Sequence, residues 1–312
     1  MLLSDAVYFG ISSLFLILGG IFLVKSLSKI ARMLRISEFS AAFIIMATAT
    51  SLPELFVGIS SAIQGNPGLS MGNVIGANII NLTLITGIII LLSREIKSDK
   101  KIEKDSYFML TGVVLIIALY IIGKTLSRVD GIILVCFFGF NFYRTFRKRK
   151  KFRKKIENGI PKESKSLSLL IFMVAFIVLV FSSQFVVKYA EALAVDLALP
   201  PIFIGLFLLS IATTLPELVF GISAAKMNHN TMGIGDEIGT ILANSALILG
   251  LVAILHPIEV AFAPFLVSAM FMFIAASVFT VFLLTNRKLE TLEGIGLILF
   301  YMLFVIIEFF IK

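Results

Sequence analysis

Long apolar blocks separated by short polar joints constrain this sequence more than any other feature. A hydrocarbon core of about 30 Å needs about 20 helical residues, and blocks of that length with few charges are typical of transmembrane helices. At 59% hydrophobic residues over 312 positions, the chain carries more apolar surface than a soluble globule of this length could bury. We therefore expect an all-α polytopic membrane protein with ten transmembrane helices. The ten blocks are 7–26, 37–63, 69–92, 106–123, 128–146, 167–189, 200–226, 232–256, 262–285 and 289–311.

The placement of Lys and Arg predicts the side of the membrane that each joint faces. Most of the net charge of +8 comes from one basic run, Arg144 to Lys165, between the fifth and sixth blocks. A basic run beside membrane spans marks the cytoplasmic side, which we favour over a surface for nucleic acid. With that joint inside, 23 of the 27 Lys and Arg are cytoplasmic and 4 are outside. We expect a multi-pass protein of the cell membrane with both termini extracellular and the first block retained as a span, since it lacks the features of a cleaved signal peptide.

The second half of the chain repeats the first at an offset of 163 residues without a gap. The motif Thr-Ser-Leu-Pro-Glu-Leu at 50–55 recurs as Thr-Thr-Leu-Pro-Glu-Leu at 213–218. Each half holds five blocks, and an odd number makes the second half begin on the opposite side of the membrane. The sequence thus predicts two inverted five-helix repeats, 1–143 and 167–312, joined by a basic cytoplasmic linker at 144–166. Inverted repeats are typical of secondary transporters, whose substrate site lies near the membrane midplane.

Glu54 and Glu217 are the residues that point most directly to a function. Both lie deep inside apolar blocks, where an ionisable side chain is costly and is a functional hypothesis by default. The repeat would bring the two carboxylates together, and they repel each other unless a proton or a cation lies between them. A divalent cation would neutralise both.

The neighbours of the two glutamates offer oxygen ligands for a hard cation. Pro53 and Pro216 have no N–H, so the carbonyls of Ala49 and Ala212 lose their helical donors. Hydroxyls three or four residues before each glutamate share its helix face, and an asparagine lies in each following block. An all-oxygen set with two carboxylates suits Ca²⁺, which takes about 6–8 oxygens. These side chains are Thr50, Ser51, Thr213, Thr214, Asn81 and Asn244.

Each of these assignments has a plainer alternative. A hydroxyl in a membrane helix can bond back to the preceding turn of its own helix. The repeated glycines Gly58, Gly72, Gly76 and their counterparts are expected to be close-packing positions. Cys136 is the single cysteine and the two histidines form no metal-binding pair, so we expect no disulfide, no zinc site and no cofactor.

These motifs resemble the cation/calcium exchanger superfamily, specifically its sodium/calcium exchanger branch of the prokaryotic type. The branch has Gly-Thr-Ser-Leu-Pro-Glu in each repeat, followed by Gly-Asn-x-x-Gly-Ser-Asn-x-x-Asn or a near relative, and the resemblance covers essentially the whole chain. It implies a secondary antiporter, not an enzyme, that extrudes Ca²⁺ against Na⁺ influx by alternating access at a site around Glu54 and Glu217. It also implies that spans one and six slide. The expected partners are Ca²⁺, Na⁺ or H⁺ as the coupling ion and the lipid bilayer, with no obligate protein partner.

The chain departs from that family pattern in ways that bear on the coupling ion. The glycine that opens the motif is Ala49 in the first repeat and Ala212 in the second. Ala77 replaces a serine that is a sodium ligand in the family, whereas Thr240 keeps a hydroxyl at the matching second position. Asn244 takes the place of an aspartate found in some relatives. These changes leave open an exchanger coupled to H⁺, or one that moves another cation.

Asp236 and Glu237 are the most unusual departure, because the family has an asparagine and an apolar residue there. Glu237, Thr240 and Asn244 share one helix face, so the acids are candidate accessory ligands at the cytoplasmic mouth of the site. The alternative for Glu237 is an acid at a helix N-terminus, where the dipole favours it. Residues 233–236 also spell the Gly-x-Gly-Asp of intramembrane aspartyl proteases, a remote alternative because those enzymes need a second membrane aspartate and the others here lie at span ends. A channel is a further alternative that the sequence leaves open.

Overall fold

The computed structural model describes residues 2–33, 50–93, 95–97, 100–149, 165–226, 230–285 and 288–311. Helical structure dominates both halves of the chain. The first half contains α1 (Leu2–Met33), α2 (Leu52–Ile63), α3 (Pro67–Ile80) with a π-helical turn at Asn81–Ile85, α4 (Thr86–Ser93), β1 (Glu95–Lys97), α5 (Lys100–Gly123) and α6 (Arg128–Arg149). The second contains α7 (Lys165–Asp196), α8 (Pro201–Ile204) with a π-helical turn at Gly205–Leu209, α9 (Ser210–Thr213), α10 (Leu215–Lys226), α11 (Asn230–Leu242) with a π-helical turn at Ala243–Ile248, α12 (Leu249–Leu255), α13 (Phe262–Thr285), β2 (Lys288–Glu290) and α14 (Thr291–Ile311).

Eight stretches of helix in the described part of the chain are long and apolar enough to cross a membrane. This confirms an all-helical polytopic membrane protein, while the number ten stays a prediction. The block at 37–63 is described only from residue 50, and the block at 128–146 forms α6, which is not among the eight. α1 and α7 have 32 residues each and extend past their apolar blocks, because the helix continues through polar flanks that hydropathy does not mark.

The helices of the second half begin and end where the offset of 163 residues places them. α1 and α7 match at both ends, as do α2 and α10, and the remaining pairs from α3 and α11 to α6 and α14 match within one residue. The counterparts of α8 and its π-helical turn fall in 38–46, outside the described residues. The sequence repeat is therefore also a repeat of secondary structure.

The helix of each glutamate motif begins at the leucine of its Leu-Pro-Glu sequence. Ser51 and Thr214 are turn residues, and α2 and α10 begin at the leucine that follows each of them. Proline is accepted in a first helical turn but would clash with a preceding one, so the interruption follows from Pro53 and Pro216. As a result, Glu54 and Glu217 lie in the first turn of their helices, where unsatisfied N–H groups and the helix dipole favour negative charge.

A π-helical turn follows α3 and another follows α11. Asn81 opens the first at the end of α3, and Asn244 is the second residue of the other. The widened turn lets Thr86 Oγ1 donate to the carbonyl oxygen of Asn81 over five residues, at 2.7 Å. Such turns inside α-helices are rare and are frequent at functional sites.

Glycines let α3 approach the backbone of α8 and its π-helical turn. A Cβ on Gly72 would lie 2.0 Å from the carbonyl oxygen of Ile202, and one on Gly76 would lie 2.2 Å from that of Leu206. From the other side, a Cβ on Gly205 would lie 2.3 Å from the carbonyl oxygen of Leu69. Side chains cannot occupy such gaps, so the prediction that Gly72 and Gly76 are packing positions is confirmed.

The packing contacts themselves recur between the halves. A Cβ on Gly87 would lie 2.8 Å from the carbonyl oxygen of Gly294, and one on Gly250 would lie 2.9 Å from that of Gly131. Gly87 and Gly250 are 163 residues apart, and so are Gly131 and Gly294. Each contact thus joins the helix that follows the π-helical turn of one half to the last helix of the other half: α4 to α14, and α12 to α6.

Two short extended segments depart from the helical expectation. β1 and β2 pair antiparallel, with Ile96 opposite Leu289, and a single bridge joins Leu126 to Ile258. Each pairing connects a joint of the first half to one of the second. Three-residue strands lie in joints whose residues show no strand periodicity, which explains why the sequence did not indicate them.

Candidate ion-binding site

Glu54 and Glu217 are fully buried within the helical bundle. Each has an exposed fraction of 0%, and none of the four carboxylate oxygens has a hydrogen-bond partner among the residues that the structure describes. The two carboxylates lie within Coulombic range of each other, although they are 163 residues apart in the sequence. The structure therefore brings together the two acids that the repeat singled out.

The motif threonines each contact a helix of the opposite half. Thr50 Oγ1 lies 3.3 Å from Thr240 Oγ1 on α11, and Thr213 Oγ1 donates to Asn73 Oδ1 on α3 at 3.1 Å. The Thr213 hydroxyl also faces the Glu54 carboxylate. These cross-half contacts place three predicted ligands, Thr50, Thr213 and Thr240, beside the glutamate pair.

Ser51 and Thr214 are the equivalent hydroxyl residues that immediately precede the leucines of the two motifs. Both are buried, at 3% and 2% exposure. Thr214 Oγ1 donates to the carbonyl oxygen of Ser210 at 2.8 Å, which is the bond back to its own helix that we named as the plainer alternative. Ala212 is buried in α9, while Ala49 lies outside the described residues.

Asn81 and Asn244 are buried amides that make no side-chain hydrogen bond within the described ranges. Both have an exposed fraction of 0%, and this holds for the amide oxygen and the amide nitrogen of each side chain. Burying an amide without hydrogen-bond partners is energetically costly. An ion or a ligand that binds beside such a group can supply the missing interaction. Their position in the π-helical turns of the two halves supports the sequence assignment of a pair of equivalent ligands.

Asp236 and Glu237 are buried two turns into α11. Each is 1% exposed, and their carboxylate oxygens have no hydrogen-bond partner in the ranges that the structure describes. α11 begins at Asn230 and has no acid in its first turn. The interpretation of Glu237 as a helix N-terminal acid is therefore wrong, because Glu237 is the eighth residue of α11 and lies beyond its first turn.

Several residues that the sequence analysis did not select contribute to the same region. Asn73 accepts the hydrogen bond of Thr213, and Asn78 Nδ2 donates to Ser245 Oγ at 2.9 Å, which joins α3 to the π-helical turn after α11. Both asparagines belong to the second part of the family motif, so that motif was the signal for them. Gly20 on α1 packs against both motif prolines, and no sequence pattern indicated it: a Cβ there would lie 2.8 Å from Pro216 Cγ and 3.1 Å from Pro53 Cγ.

The donor set of this site consists of oxygen atoms from both halves. Within the described ranges, no three His, Cys, Asp or Glu side chains converge closely enough to hold a metal ion by themselves. A cation here would instead take carboxylate oxygens together with the hydroxyl and amide oxygens around them. Carboxylate, hydroxyl and carbonyl oxygens are the ligands of hard cations.

Charge is the dominant property of the site. Glu217 lies within Coulombic range of Glu54, Asp236 and Glu237, so four buried acids lie in one region. No Lys or Arg of the described residues pairs with any of them. Uncompensated charges inside a membrane protein cost several kcal/mol each, so this region requires positive charge from bound cations or protons.

Comparison with known proteins finds relatives that match nearly the whole length of the chain. The profile of the family described as sodium/calcium exchanger protein matches residues 4–146 and 167–310. Sodium/calcium exchanger MaX1 of Methanosarcina acetivorans is 28% identical over 95% of this chain and 96% of its own length. An uncharacterized membrane protein of Methanocaldococcus jannaschii, MJ0091, is 30% identical over 78% of this chain and 80% of its own.

Solved structures agree with the sequence matches. A structure of the sodium-calcium exchanger NCX_Mj soaked with Na⁺ and Sr²⁺ superposes with a TM-score of 0.70 at 26% identity, covering 98% of both chains. The relatives are transporters, which removes the protease interpretation of residues 233–236. The repeated motifs, the buried oxygen-lined site and the family profile lead to one conclusion: the chain belongs to the sodium/calcium exchanger family.

Proposed function

We propose that this protein exchanges Ca²⁺ for Na⁺ across the cell membrane by alternating access at a central site built on Glu54 and Glu217. The observation that carries the proposal is this pair of carboxylates, which are fully buried, have no hydrogen-bond partner in the described part of the chain, and are equivalent by the repeat. MaX1 and NCX_Mj are sodium/calcium exchangers by name, which supports the choice of ions.

The ligands of the central site come from the motif and from the helices that face it. Ca²⁺ neutralises Glu54 and Glu217 and takes further oxygens from Thr50 and Thr213. Na⁺ ions compete for the same carboxylates and for flanking oxygens, which include Asn81, Asn244, Thr240, Ser51 and the carbonyls of Ala49 and Ala212. Thr214, whose hydroxyl bonds to Ser210, remains the weakest member of the set.

Coupling follows from the energetics of buried charge. An empty or half-filled site carries carboxylate charge that no described basic residue balances, and exposing it to a low-dielectric barrier is costly. A filled site is neutral, so the conformational change proceeds when the ions are bound. The exchanger therefore moves either ion only in return for the other and needs no cofactor or partner protein.

The architecture that this mechanism needs is an inverted repeat of five spans in each half. We assign residues 1–143 and 167–312 to the repeats and 144–166 to a cytoplasmic linker, with both termini outside. Support comes from the recurrence of helix bounds and of glycine contacts at the offset of 163, and from the placement of Lys and Arg. Single cysteines in the linker and at the C-terminus, on a Cys136→Ser background, should react with impermeant maleimide from opposite sides of the membrane. Labelling from one side would refute the topology.

The moving part in this proposal is the pair formed by α1 and α7. These helices pack along each other, and Gly20 of α1 bears on the prolines that precede Glu54 and Glu217. Sliding of the pair past α2 and α10 would open the site to one side and close it to the other.

An H⁺-coupled Ca²⁺ exchanger is the second candidate. Ala77 is fully buried beside the site and offers no hydroxyl where the first repeat of the family has a sodium ligand. A proton binds to a single carboxylate and needs no set of surrounding oxygen ligands. The site region contains four acids, Glu54, Glu217, Asp236 and Glu237. The same chain would then move Ca²⁺ in exchange for protons.

One flux experiment separates the two candidates. Purified protein in proteoliposomes is loaded with Na⁺, or with an acidic buffer free of Na⁺, and uptake of ⁴⁵Ca²⁺ is followed after dilution. We expect uptake driven by the outward Na⁺ gradient, absent when Glu54 or Glu217 is replaced by Gln. Uptake driven by the H⁺ gradient alone would establish the second candidate, and no uptake under either gradient would refute Ca²⁺ exchange.

A further inference from the structure

The last two helices of each half are joined at equivalent places by different contacts. In the first half, Asp105 of α5 forms an ion pair with Arg144 of α6 at 3.1 Å. In the second half, 163 residues later, Ser268 takes the position of Asp105 and Ile307 takes that of Arg144. The acid here is Glu308 on α14, and its Oε1 lies 2.6 Å from Ser268 Oγ on α13. An acid thus joins the two helices in both halves, with a basic partner in the first half and a hydroxyl in the second.

The contacts of Ser268 count the hydrogen atoms that this place needs. Ser268 Oγ lies within hydrogen-bond distance of two oxygens, the carbonyl oxygen of Pro264 at 3.0 Å and Glu308 Oε1 at 2.6 Å. A serine hydroxyl has one hydrogen to donate, and neither a carbonyl oxygen nor an ionised carboxylate has any. Both contacts are therefore hydrogen bonds only when Glu308 carries a proton and donates it to Ser268.

The elements packed around α14 isolate Glu308 from positive charge. Glu308 is 1% exposed, and its Oε2 has no hydrogen-bond partner among the described residues. α14 packs against α4, the π-helical turn at Asn81–Ile85, α13 and β2, and the ring of Phe309 reaches that of Phe207 after α8. Apart from β2, none of these elements contains an ionisable residue.

The ionisable groups that remain are far from Glu308 or uncharged. Lys288 and Glu290 of β2 pair with each other, and they lie at the opposite end of α14, about 25 Å away along the helix. Glu293 is in the first turn of α14, and Tyr301 lies two turns before Glu308. No basic residue in the described ranges therefore balances a charge on Glu308. An isolated carboxylate in an apolar interior is so costly that such a group takes up a proton instead.

We infer that Glu308 is a proton-binding group, which holds a proton in the folded protein and donates it to Ser268 Oγ. The Ser268 hydroxyl in turn donates to the carbonyl oxygen of Pro264. These two hydrogen bonds join α14 to α13 without a charge, where the first half uses an ion pair. The group lies outside the candidate ion-binding site, so the inference does not depend on the proposed function.

Infrared spectroscopy of the purified protein in lipid tests the inference directly. At neutral pH, the difference spectrum between the unaltered protein and Glu308→Gln should contain the C=O stretching band of a protonated carboxylic acid. Ser268→Ala should shift this band without removing it, because the proton loses its acceptor. Asp105→Asn is the matched control and should remove no such band, since Asp105 is ionised beside Arg144. No band in the difference spectrum, as an ionised Glu308 paired with a residue outside the described ranges would give, would overturn the proposal.

The pH dependence of stability gives a second measurement. The folded protein holds a proton that the unfolded chain releases, so the free energy of unfolding falls as the pH rises. Glutamine cannot release a proton, so Glu308→Gln lacks this contribution. Between about pH 5 and about pH 9, the thermal unfolding midpoint of the unaltered protein should fall relative to that of the variant. An identical pH dependence of the two proteins would contradict the proposal.

A flux measurement separates this proton from a coupling proton. Glu308→Gln keeps an uncharged side chain of the same shape, so it should retain ⁴⁵Ca²⁺ uptake under the gradient that drives the unaltered protein. Loss of that uptake, in a variant that unfolds at the same temperature, would make the proton part of transport and overturn its assignment to helix packing. If neither protein takes up Ca²⁺, the exchange function fails, whereas the infrared band still decides the state of Glu308.

Discussion

α3 and α11 show how far two copies of one helix can differ while keeping the same shape. Both begin at equivalent residues, both continue into a π-helical turn that holds a buried asparagine, and both carry glycines at the repeated positions. Their polar residues differ: α3 has Asn73 and Ala77, where α11 has Asp236 and Thr240. The packing glycines are thus shared by the two helices, whereas the carboxylate at position 236 and the hydroxyl at position 240 occur in α11 alone.

The partners of the two motif threonines also differ between the halves. Thr50 meets a hydroxyl on α11, whereas the equivalent Thr213 meets the amide oxygen of Asn73 on α3. A symmetric backbone therefore holds an asymmetric set of oxygens. The proposed alternating-access mechanism requires the two halves to share the same helix arrangement. It does not require their side chains to be the same, so the side chains that differ can determine which ion is preferred.

The largest effect on Ca²⁺ uptake is expected from the two glutamates, which occupy equivalent positions in the two halves. Glu54→Gln and Glu217→Gln should each abolish Na⁺-driven uptake and lower Ca²⁺ affinity by about 100-fold or more, because each removes one of two carboxylates that hold the central ion. Uptake of ⁴⁵Ca²⁺ and equilibrium dialysis measure this, with Glu308→Gln as a control for loss of a buried acid. Unaltered flux in either variant would remove that glutamate from the site.

The next effect concerns the shared packing surface. Gly72→Ala places a Cβ 2.0 Å from the carbonyl oxygen of Ile202, so α3 must move away from α8, at a cost of about 2 kcal/mol or more. Gly235→Ala makes the same change in the second half and should cost a similar amount. Thermal unfolding in detergent measures both, with Gly10→Ala as the control because nothing lies within 4 Å of its Cβ. A harmless Gly235→Ala would show that the halves do not pack alike.

A smaller effect follows from the hydroxyl that the two halves do not share. Thr240→Ala removes the contact with Thr50, and we expect apparent Na⁺ affinity to fall about fivefold, which corresponds to about 1 kcal/mol for one hydrogen bond. Ala77→Ser adds a hydroxyl to α3 and should raise Na⁺ affinity by a similar factor. The Na⁺ dependence of ⁴⁵Ca²⁺ uptake measures both. Equal Na⁺ dependence in all three proteins would exclude these positions from Na⁺ binding.

The smallest effect tests the contrast between α1 and α7. Ser183 of α7 lies 3.1 Å from Ser60 Oγ on α2, while the equivalent residue of α1 is Gly20. Ser183→Ala should lower the free energy of unfolding by about 1 kcal/mol or less and leave ion affinity unchanged. Thermal unfolding and dialysis of the same sample measure the two quantities. A changed ion affinity would place this hydroxyl within the functional part of the molecule.

Much of this molecule could be predicted because its main signals are local or repeated. Apolar blocks indicated the helices, and the offset of 163 identified Glu54 and Glu217 before any contact was known. The glycines of the repeat were also correctly assigned to packing, as Gly72 and Gly76 show.

The features that escaped prediction depend on contacts between distant residues or on helix ends. Thr50 and Thr240 are 190 residues apart, and no local pattern shows which hydroxyl meets which. Thr214 donates its hydroxyl to the carbonyl oxygen of Ser210 in the preceding helix, which depends on the exact turn made before Pro216. The position of Glu237 was misjudged because hydropathy does not mark where a helix begins, and α11 begins at Asn230, seven residues before Glu237.

The contact of Gly20 with both motif prolines bears on the size of ion that the site accepts. A Cβ there would lie 2.8 Å from Pro216 Cγ and 3.1 Å from Pro53 Cγ, and each proline immediately precedes a carboxylate of the central pair. In the proposed site, the spacing of the two carboxylates would therefore depend on the width of one residue on α1. Cavity size and ligand flexibility are what distinguish Ca²⁺ from the smaller Mg²⁺ in an oxygen site. A side chain at position 20 would push the two motifs apart, so a helix that contributes no ligand helps to set the ionic radius that the site prefers.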